Sequence, residues 1–181
     1  FSAIQNNDKI GIIFFTDKIE KFIPPKKGKT HILRIIRELI EFKPENTKTN
    51  ISDALKYLTH AIKKKSIAFL ISDFMDSDFE QALKLANKKH DVVALRIYDE
   101  RETVLPDVGL VRLCHSETGE VLWVDSSKAE VRNNYYQWWK QLDRQLFEKF
   151  GRCGVDNTKI RTDESYVQPL TRLFKRRESR R

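Results

Sequence analysis

A chain of 181 residues that is 40% apolar and 33% charged can bury a sizeable core and is too apolar to stay disordered, so one globular domain over 1–181 is expected. No run of about 18 apolar residues occurs, and the first residues lack a basic stretch followed by an apolar one; no membrane association and a cytoplasmic location are expected. Lys+Arg of 34 against Asp+Glu of 26 leave a formal charge of +8, which permits nucleic-acid or acidic partners without demanding either.

The basic clusters Lys26-Lys27-Gly28-Lys29, Lys63-Lys64-Lys65 and Lys175-Arg176-Arg177 fall in turns, at helix ends and in the tail. Cations there complement helix dipoles or simply solvate, and no aromatic residues interleave with them, so nucleic acid is not the expected partner. Cys114 and Cys153 match no metal-ligand spacing and read as reduced thiols. The chain starts at Phe1 without Met, and Phe1 to Asn7 reads as the end of a helix, so a preceding part is expected.

Lys9 to Phe15 is a short apolar run of the kind covered on both faces, followed by an edge strand from Ile19 to Ile23 that Pro24 and Pro25 close. Thr30 opens a helix with Ile32, Ile35, Ile36, Leu39 and Ile40 at helical spacing, and Thr49-Asn50 opens a second with Ile51, Ala54, Leu55, Leu58 and Ile62. Ser66 to Ser72 and Asp91 to Tyr98 are further buried strands, separated by a helix that Ser77 and Glu80 cap as a box and that ends at Lys89.

Residues 1–99 thus alternate strands and helices, the rhythm of right-handed crossovers and a parallel sheet. A hairpin follows over 109–126, turning at Glu117-Thr118-Gly119. Ser127 and Glu130 cap a long helix over 127–151, ended by Gly151, whose stripe of Val131, Tyr135, Trp138, Trp139, Leu142, Leu146 and Phe150 is expected to be core. A terminal strand from Asn157 to Arg161 and a helix with Tyr166, Val167, Leu170, Leu173 and Phe174 occupy 157–175. The fold expected is α/β: three-layer, doubly wound, with a mostly parallel sheet, an added hairpin and a long C-terminal helix.

Sites in such sheets lie beyond the carboxyl ends of the strands, which singles out Thr16, Asp17, Ser72, Asp73, Asp76, Asp99, Arg101 and Glu102, with Thr49 and Asn50 sharing the rim. Asp78 also falls there but reads as a helix-start residue. A Thr49 hydroxyl and an Asp73 carboxylate are hard oxygen ligands suited to Mg²⁺. Read singly, Thr49 caps its helix and Asp73 accepts backbone N–H groups in a turn.

Catalytic patterns are absent. His31, His60, His90 and His115 are scattered, the 6 Gly form neither a P-loop nor a dinucleotide fingerprint, and no G-x-S-x-G elbow occurs.

Lys48-Thr49-Asn50-Ile51 and Ser72-Asp73-Phe74, in this strand order, resemble the second and third loops of the metal-ion-dependent adhesion site of von Willebrand factor A domains. The resemblance extends to a prokaryotic family of such domains, domain-of-unknown-function family fifty-eight. It is carried by Asp8-Lys9-Ile10-Gly11, Pro24-Pro25-Lys26-Lys27-Gly28, His90-Asp91-Val92-Val93, Arg101-Glu102, Leu105-Pro106-Asp107-Val108-Gly109-Leu110, Glu117-Thr118-Gly119-Glu120, Val124-Asp125 and Tyr166-Val167-Gln168-Pro169-Leu170.

Two departures stand out. Glu100 replaces the family's more usual Pro, and the site's first loop, Asp-x-Ser-x-Ser, does not occur. The family's first strand, which precedes that loop, lies mid-sheet between Lys9 to Phe15 and Ser66 to Ser72. Those two runs must pair directly, or another chain must complete the sheet by self-association, or the chain is less stable than the whole protein.

The resemblance implies a protein-interaction module, not an enzyme, that works with an AAA ATPase of the MoxR class in complex assembly or stress-related maturation. It implies no cofactor on these residues alone, and Mg²⁺ at Thr49 and Asp73 in a full-length protein. The alternatives are a metal-dependent phosphoesterase or nuclease using Asp73, Asp76 and Asp99, or a basic nucleic-acid-binding domain.

Overall fold

The computed structural model describes residues 5–114 and 119–180. The expected helix end over Phe1 to Ile4 and the turn residues Glu117 and Thr118 lie outside the described residues.

Three strands, β3 (Ile67–Ser72), β4 (Asp91–Tyr98) and β7 (Asp156–Arg161), form a parallel sheet in the order β3-β4-β7. The apolar run Val92 to Leu95 places β4 in the middle, because an all-parallel strand must be covered on both faces. On one face lie α2 (Ile51–Ala61), α3 (Glu80–Lys89) and the C-terminal half of α5 (Ala129–Arg152). They bury Ile51, Leu55, Leu83, Leu146 and Phe150 against Leu70, Val92 and Ala94. On the other face α6 (Val167–Glu178) sets Leu173 against Val93 and Leu95.

β1 (Ile10–Phe15) and β2 (Ile19–Lys26) form a separate antiparallel ladder above α1 (Lys29–Glu41), with Phe14, Ile23 and Ile35 as its core. Gly11 is required there, since a Cβ would meet the Ile23 carbonyl oxygen at 2.7 Å. β2 runs on through Pro24 and Pro25 instead of stopping at Ile23; as an edge strand it needs no N–H on its outer side, and a register shift between Ile10 and Ile12 absorbs the irregularity. No ladder among the described residues joins β1–β2 to β3–β4–β7, so the two runs do not pair directly. The hairpin, β5 (Leu110–Cys114) with β6 (Val121–Asp125), forms as expected; fully buried Ser126 closes its open end by donating its hydroxyl to the Gly109 carbonyl at 2.7 Å, and Arg132 of α5 donates to the Ser126 carbonyl at 2.6 Å.

Several expectations need correction. β3 is not covered on both faces: Ile67, Phe69 and Ile71 are 60%, 47% and 58% exposed, because β3 is an edge strand whose outer side α6 does not fully cover. β1 is likewise only half-buried, with Phe14 its one buried apolar residue. Thr30 lies inside the first turn of α1, and Gly28 at φ 101° is the cap. Asn50, not Thr49, caps α2, accepting the Asp53 N–H at 2.9 Å.

The Ser77–Glu80 box does not form, because Glu80 is drawn off to Arg152 and Lys84. Ser127 does not cap α5 either; its hydroxyl donates to Asp125 at 2.6 Å. α5 continues past Gly151 to Arg152, and the left-handed residue is Gly154 at φ 64°. Of its apolar stripe only Leu146 and Phe150 are buried, and Trp138 is 47% exposed, since nothing described covers the N-terminal half of the helix on its outer side.

Candidate functional site

The loop leaving the carboxyl end of β3 is tied down residue by residue. The Ser72 hydroxyl accepts the Phe74 N–H at 3.0 Å, Asp73 Oδ1 accepts the Met75 N–H at 3.2 Å, and Asp76 Oδ1 accepts the Asp78 N–H at 3.3 Å. Phe74 sits between Asp73 and Asp76 at φ 60°, a left-handed conformation that costs a non-glycine residue about 1–2 kcal/mol. Burial of its ring against Phe79 and Phe150, at 5.8 and 5.0 Å, holds it there.

Two hydrogen bonds join this loop and the β1–β2 turn to the start of α2. Asp76 Oδ2 accepts the Ile51 N–H at 2.8 Å, and the Asn50 N–H donates to the Thr16 carbonyl at 2.9 Å. A carboxylate at a helix N-terminus satisfies a free N–H and complements the dipole. The structure therefore gathers Thr16, Asp17, Asn50, Ser72, Asp73 and Asp76 at one rim.

Within that rim the roles differ. Thr16 is buried and its hydroxyl donates to Glu20 at 2.7 Å, so it is structural. Asp17 accepts from Asn46 at 2.6 Å, a bond that lowers its pKa. Glu20, which the sequence reading passed over, is desolvated, yet bonds from Thr16 and from the Glu45 and Asn46 N–H groups outweigh that and lower its pKa. Asp73 and Met75 are exposed.

Asp99, Arg101 and Glu102 belong to a neighbouring turn. Asp99 caps the short α4 (Glu100–Thr103) by accepting the Arg101 N–H at 2.9 Å, and Tyr135 of α5 donates to the Glu102 carbonyl at 2.7 Å. Arg161 gathers Glu100, Asp163 and Glu164 at 2.7, 2.6 and 2.8 Å; Asp163 above all raises its pKa. Beside them opens a cavity of about 670 Å³ lined by Asp99, Glu100, Arg101, Val104, Pro106 and Asp163.

Arg96, also passed over, is the one charge inside the apolar run that follows Asp91 in β4, and that interruption is the signal that marks it. Its residue pairs in register with Ser72, it is 4% exposed, and it forms an ion pair with Asp143 while lying 5.8 Å from the Trp139 ring centre. Burial lowers its pKa, opposed by the charges of Asp73, Tyr98 and Glu102.

The donors do not make up a magnesium site. Asp73 has one oxygen engaged, Asp76 has both, and no three His, Cys, Asp or Glu groups among the described residues could hold a metal ion. Thr49 and Asp73 would fill about two of six octahedral positions. Asp73, Asp76 and Asp99 likewise do not converge as the phosphoesterase alternative requires. No described helix is long and apolar enough to cross a membrane.

The family described as "Protein of unknown function DUF58" matches residues 1–144. The uncharacterized protein MAV169 of Mycobacterium avium is 23% identical over 158 residues, covering 86% of this chain and 93% of that protein. The uncharacterized protein Rv1480 of Mycobacterium tuberculosis is 22% identical over 169 residues, covering 92% of this chain, which spans only 53% of that longer relative. Two solved structures share the fold: the conserved hypothetical protein BatB of Bacteroides thetaiotaomicron, with TM-score 0.51 and 15% identity over 96% of this chain and 84% of that one, and an aerotolerance-related membrane protein of Bacteroides fragilis, with TM-score 0.55 and 16% identity over 96% and 83%.

Proposed function

The chain belongs to the DUF58 family of proteins of unknown function, and from that premise we propose that it is a non-enzymatic protein-interaction module of the von Willebrand factor A type. Its partner is a MoxR-class AAA ATPase on the cytoplasmic side, engaged in complex assembly or stress-related maturation. The names BatB and aerotolerance-related, borne by proteins of the same fold, support the stress connection.

One observation carries the reading. The rim is built from three chain segments locked together at the start of α2, and it leaves Asp73 and Met75 exposed on a loop whose backbone is already fixed. A rigid loop with an apolar and a charged side chain loses little entropy when a partner docks, which favours binding. The same backbone bonds engage both oxygens of Asp76 and one of Asp73.

The test is surface plasmon resonance of the full-length protein against a MoxR-class ATPase of its own organism, with wild type, Asp73→Ala and Met75→Ala. A loss of about tenfold or more, roughly 1.4 kcal/mol, is expected for a residue in the docking surface. Unchanged affinity in both variants rejects the rim as the interface, and a measurement with and without Mg²⁺ shows whether a cation takes part.

A further inference from the structure

All three basic clusters of the sequence come to one end of the molecule. β1 and β3 both finish at the rim, next to Thr16 and at Ser72, so their starts lie at the opposite pole. Ile10, which begins β1, pairs with Lys26, and the 26–29 cluster leads from there into the start of α1. The 63–65 loop joins the end of α2, a helix that begins at the rim, to the start of β3. α6 brings the 175–177 cluster to the same pole, since Arg177 pairs with Asp91, and Arg180 with Asp156 at 2.9 Å, at the first residues of β4 and β7.

The charge of +8 is therefore unevenly placed. The lysines of 26–29 and 63–65 are exposed, and none has an ion-pair partner among the described residues. Asp91 and Asp156 at this pole are already held by Arg177 and Arg180, which leaves Asp8 and Glu178 as its exposed carboxylates. Asp17, Glu20, Asp73 and Asp76 lie at the rim instead, bonded by the Asn46 amide, the Thr16 hydroxyl and backbone N–H groups, all of which are neutral. One end of the sheet is acidic and the other basic.

Helix dipoles do not account for this. The ends of α2, α3 and α6 at the basic pole together carry about 1.5 negative charges, fewer than the 63–65 loop opposes by itself. The start of α1 is a positive end with no acidic residue in its first turn, yet Lys26, Lys27 and Lys29 gather around it. Like charges crowded in this way repel one another, a cost that an anionic partner removes.

We propose that the basic pole docks on an anionic lipid bilayer, which leaves the rim pointing away from the membrane whatever the rim binds. The depression of about 430 Å³ at this pole has Lys65 as its one lining lysine or arginine, beside the Asp91 carboxylate, so the positive charge lies across a surface and not in a pocket. The clusters belong to a turn, a loop and a helix end, and no aromatic side chains interleave with them, which favours a plane of headgroups over a nucleic-acid strand. Close to Lys65, Ile67 is 60% exposed and offers an apolar side chain to the headgroup layer. Docking by surface charge needs no spanning helix, and it departs from the expectation of no membrane association, which rests on spans and leaders alone.

The test is sedimentation of the chain with vesicles of phosphatidylcholine alone and of phosphatidylcholine mixed with phosphatidylserine. Binding to the mixed vesicles only is expected, weakening as salt rises. The triple variant Lys63→Gln, Lys64→Gln, Lys65→Gln is expected to bind about 100-fold more weakly, at about fivefold per lysine brought to an anionic surface. A second triple variant, Lys43→Gln, Arg112→Gln, Lys140→Gln, removes the same charge at exposed positions outside the clusters and is expected to lose less than about threefold. Absence of binding to the mixed vesicles overturns the proposal, as does an equal loss in the two triple variants, which would make net charge and not the pole responsible. Salt-dependent binding of an oligonucleotide without vesicle binding also overturns it and assigns the pole to nucleic acid.

Discussion

Replacing Asp76 by Ala tests the joint on which the rim depends. Asp76 Oδ2 accepts the N–H of Ile51 at 2.8 Å, and Ile51 is 0% exposed, so no other group in the fold replaces the lost acceptor. An orphaned buried donor costs about 1–3 kcal/mol, and the loss of a negative charge at a helix N-terminus adds about 0.3–1 kcal/mol. A total near 2–3 kcal/mol corresponds to a fall in Tm of roughly 4–12 °C for a domain of this size.

Asp76→Asn separates the two contributions, since it keeps an oxygen acceptor for the Ile51 N–H and removes the charge together with the acceptor of the Asp78 N–H, a residue exposed to water; its cost is expected to stay at about 1 kcal/mol or less. Urea denaturation followed by tryptophan fluorescence, with calorimetry for Tm, measures both. A loss under about 0.5 kcal/mol for Asp76→Ala, the ordinary scale of a surface substitution, would refute the idea that this carboxylate holds the start of α2, as would an Asn variant as unstable as the Ala variant.

Two further predictions concern other joints. Gly11→Ala places a Cβ 2.7 Å from the Ile23 oxygen and 2.9 Å from the Pro25 nitrogen, so β1 and β2 must spread; a loss of about 1–3 kcal/mol in chemical denaturation is expected, and a loss under about 0.5 would show that the ladder yields freely. Glu80, bonded by Arg152 and Lys84, has its carboxyl held at about 2 against an ordinary 4.5. Its stabilising contribution is complete above pH 4.5 and disappears as the pH falls toward 2, so stability in that window should fall more steeply for wild type than for Glu80→Gln; parallel curves would contradict the pairing.

Asp91 to Tyr98 was legible as a buried strand because its apolar run suits coverage on both faces, but the same reading of Ser66 to Ser72 was only half right, since Ile67, Phe69 and Ile71 are exposed. Leu110 to Cys114 and Val121 to Asp125 were legible as a hairpin because their turn lies between them in the chain, and Thr49-Asn50 marked the start of α2, although Asn50 is the cap and not Thr49. Caps were less legible. Ser77 and Glu80 have the spacing of a box, yet Glu80 turns to Arg152, 72 residues away, because a bidentate guanidinium outbids a backbone N–H.

Sequence alone determined which runs become strands and helices, since those depend on the period of apolar residues over a few turns of chain. Tertiary structure alone decided which faces stay open and which groups meet. The apolar residues Ile67, Phe69 and Ile71 of β3 and Trp138 of α5 have the pattern of core and are exposed, because burial requires a partner element and pattern cannot supply one. Thr16, Asn50 and Asp76 are scattered along the chain and meet only where α2 begins, because free backbone donors at a helix start draw acceptors from wherever the fold brings them. His90 is the same lesson at the opposite edge: the residue type was visible, but only packing revealed that its ring is buried with Nε2 lacking a hydrogen-bond partner among the described residues.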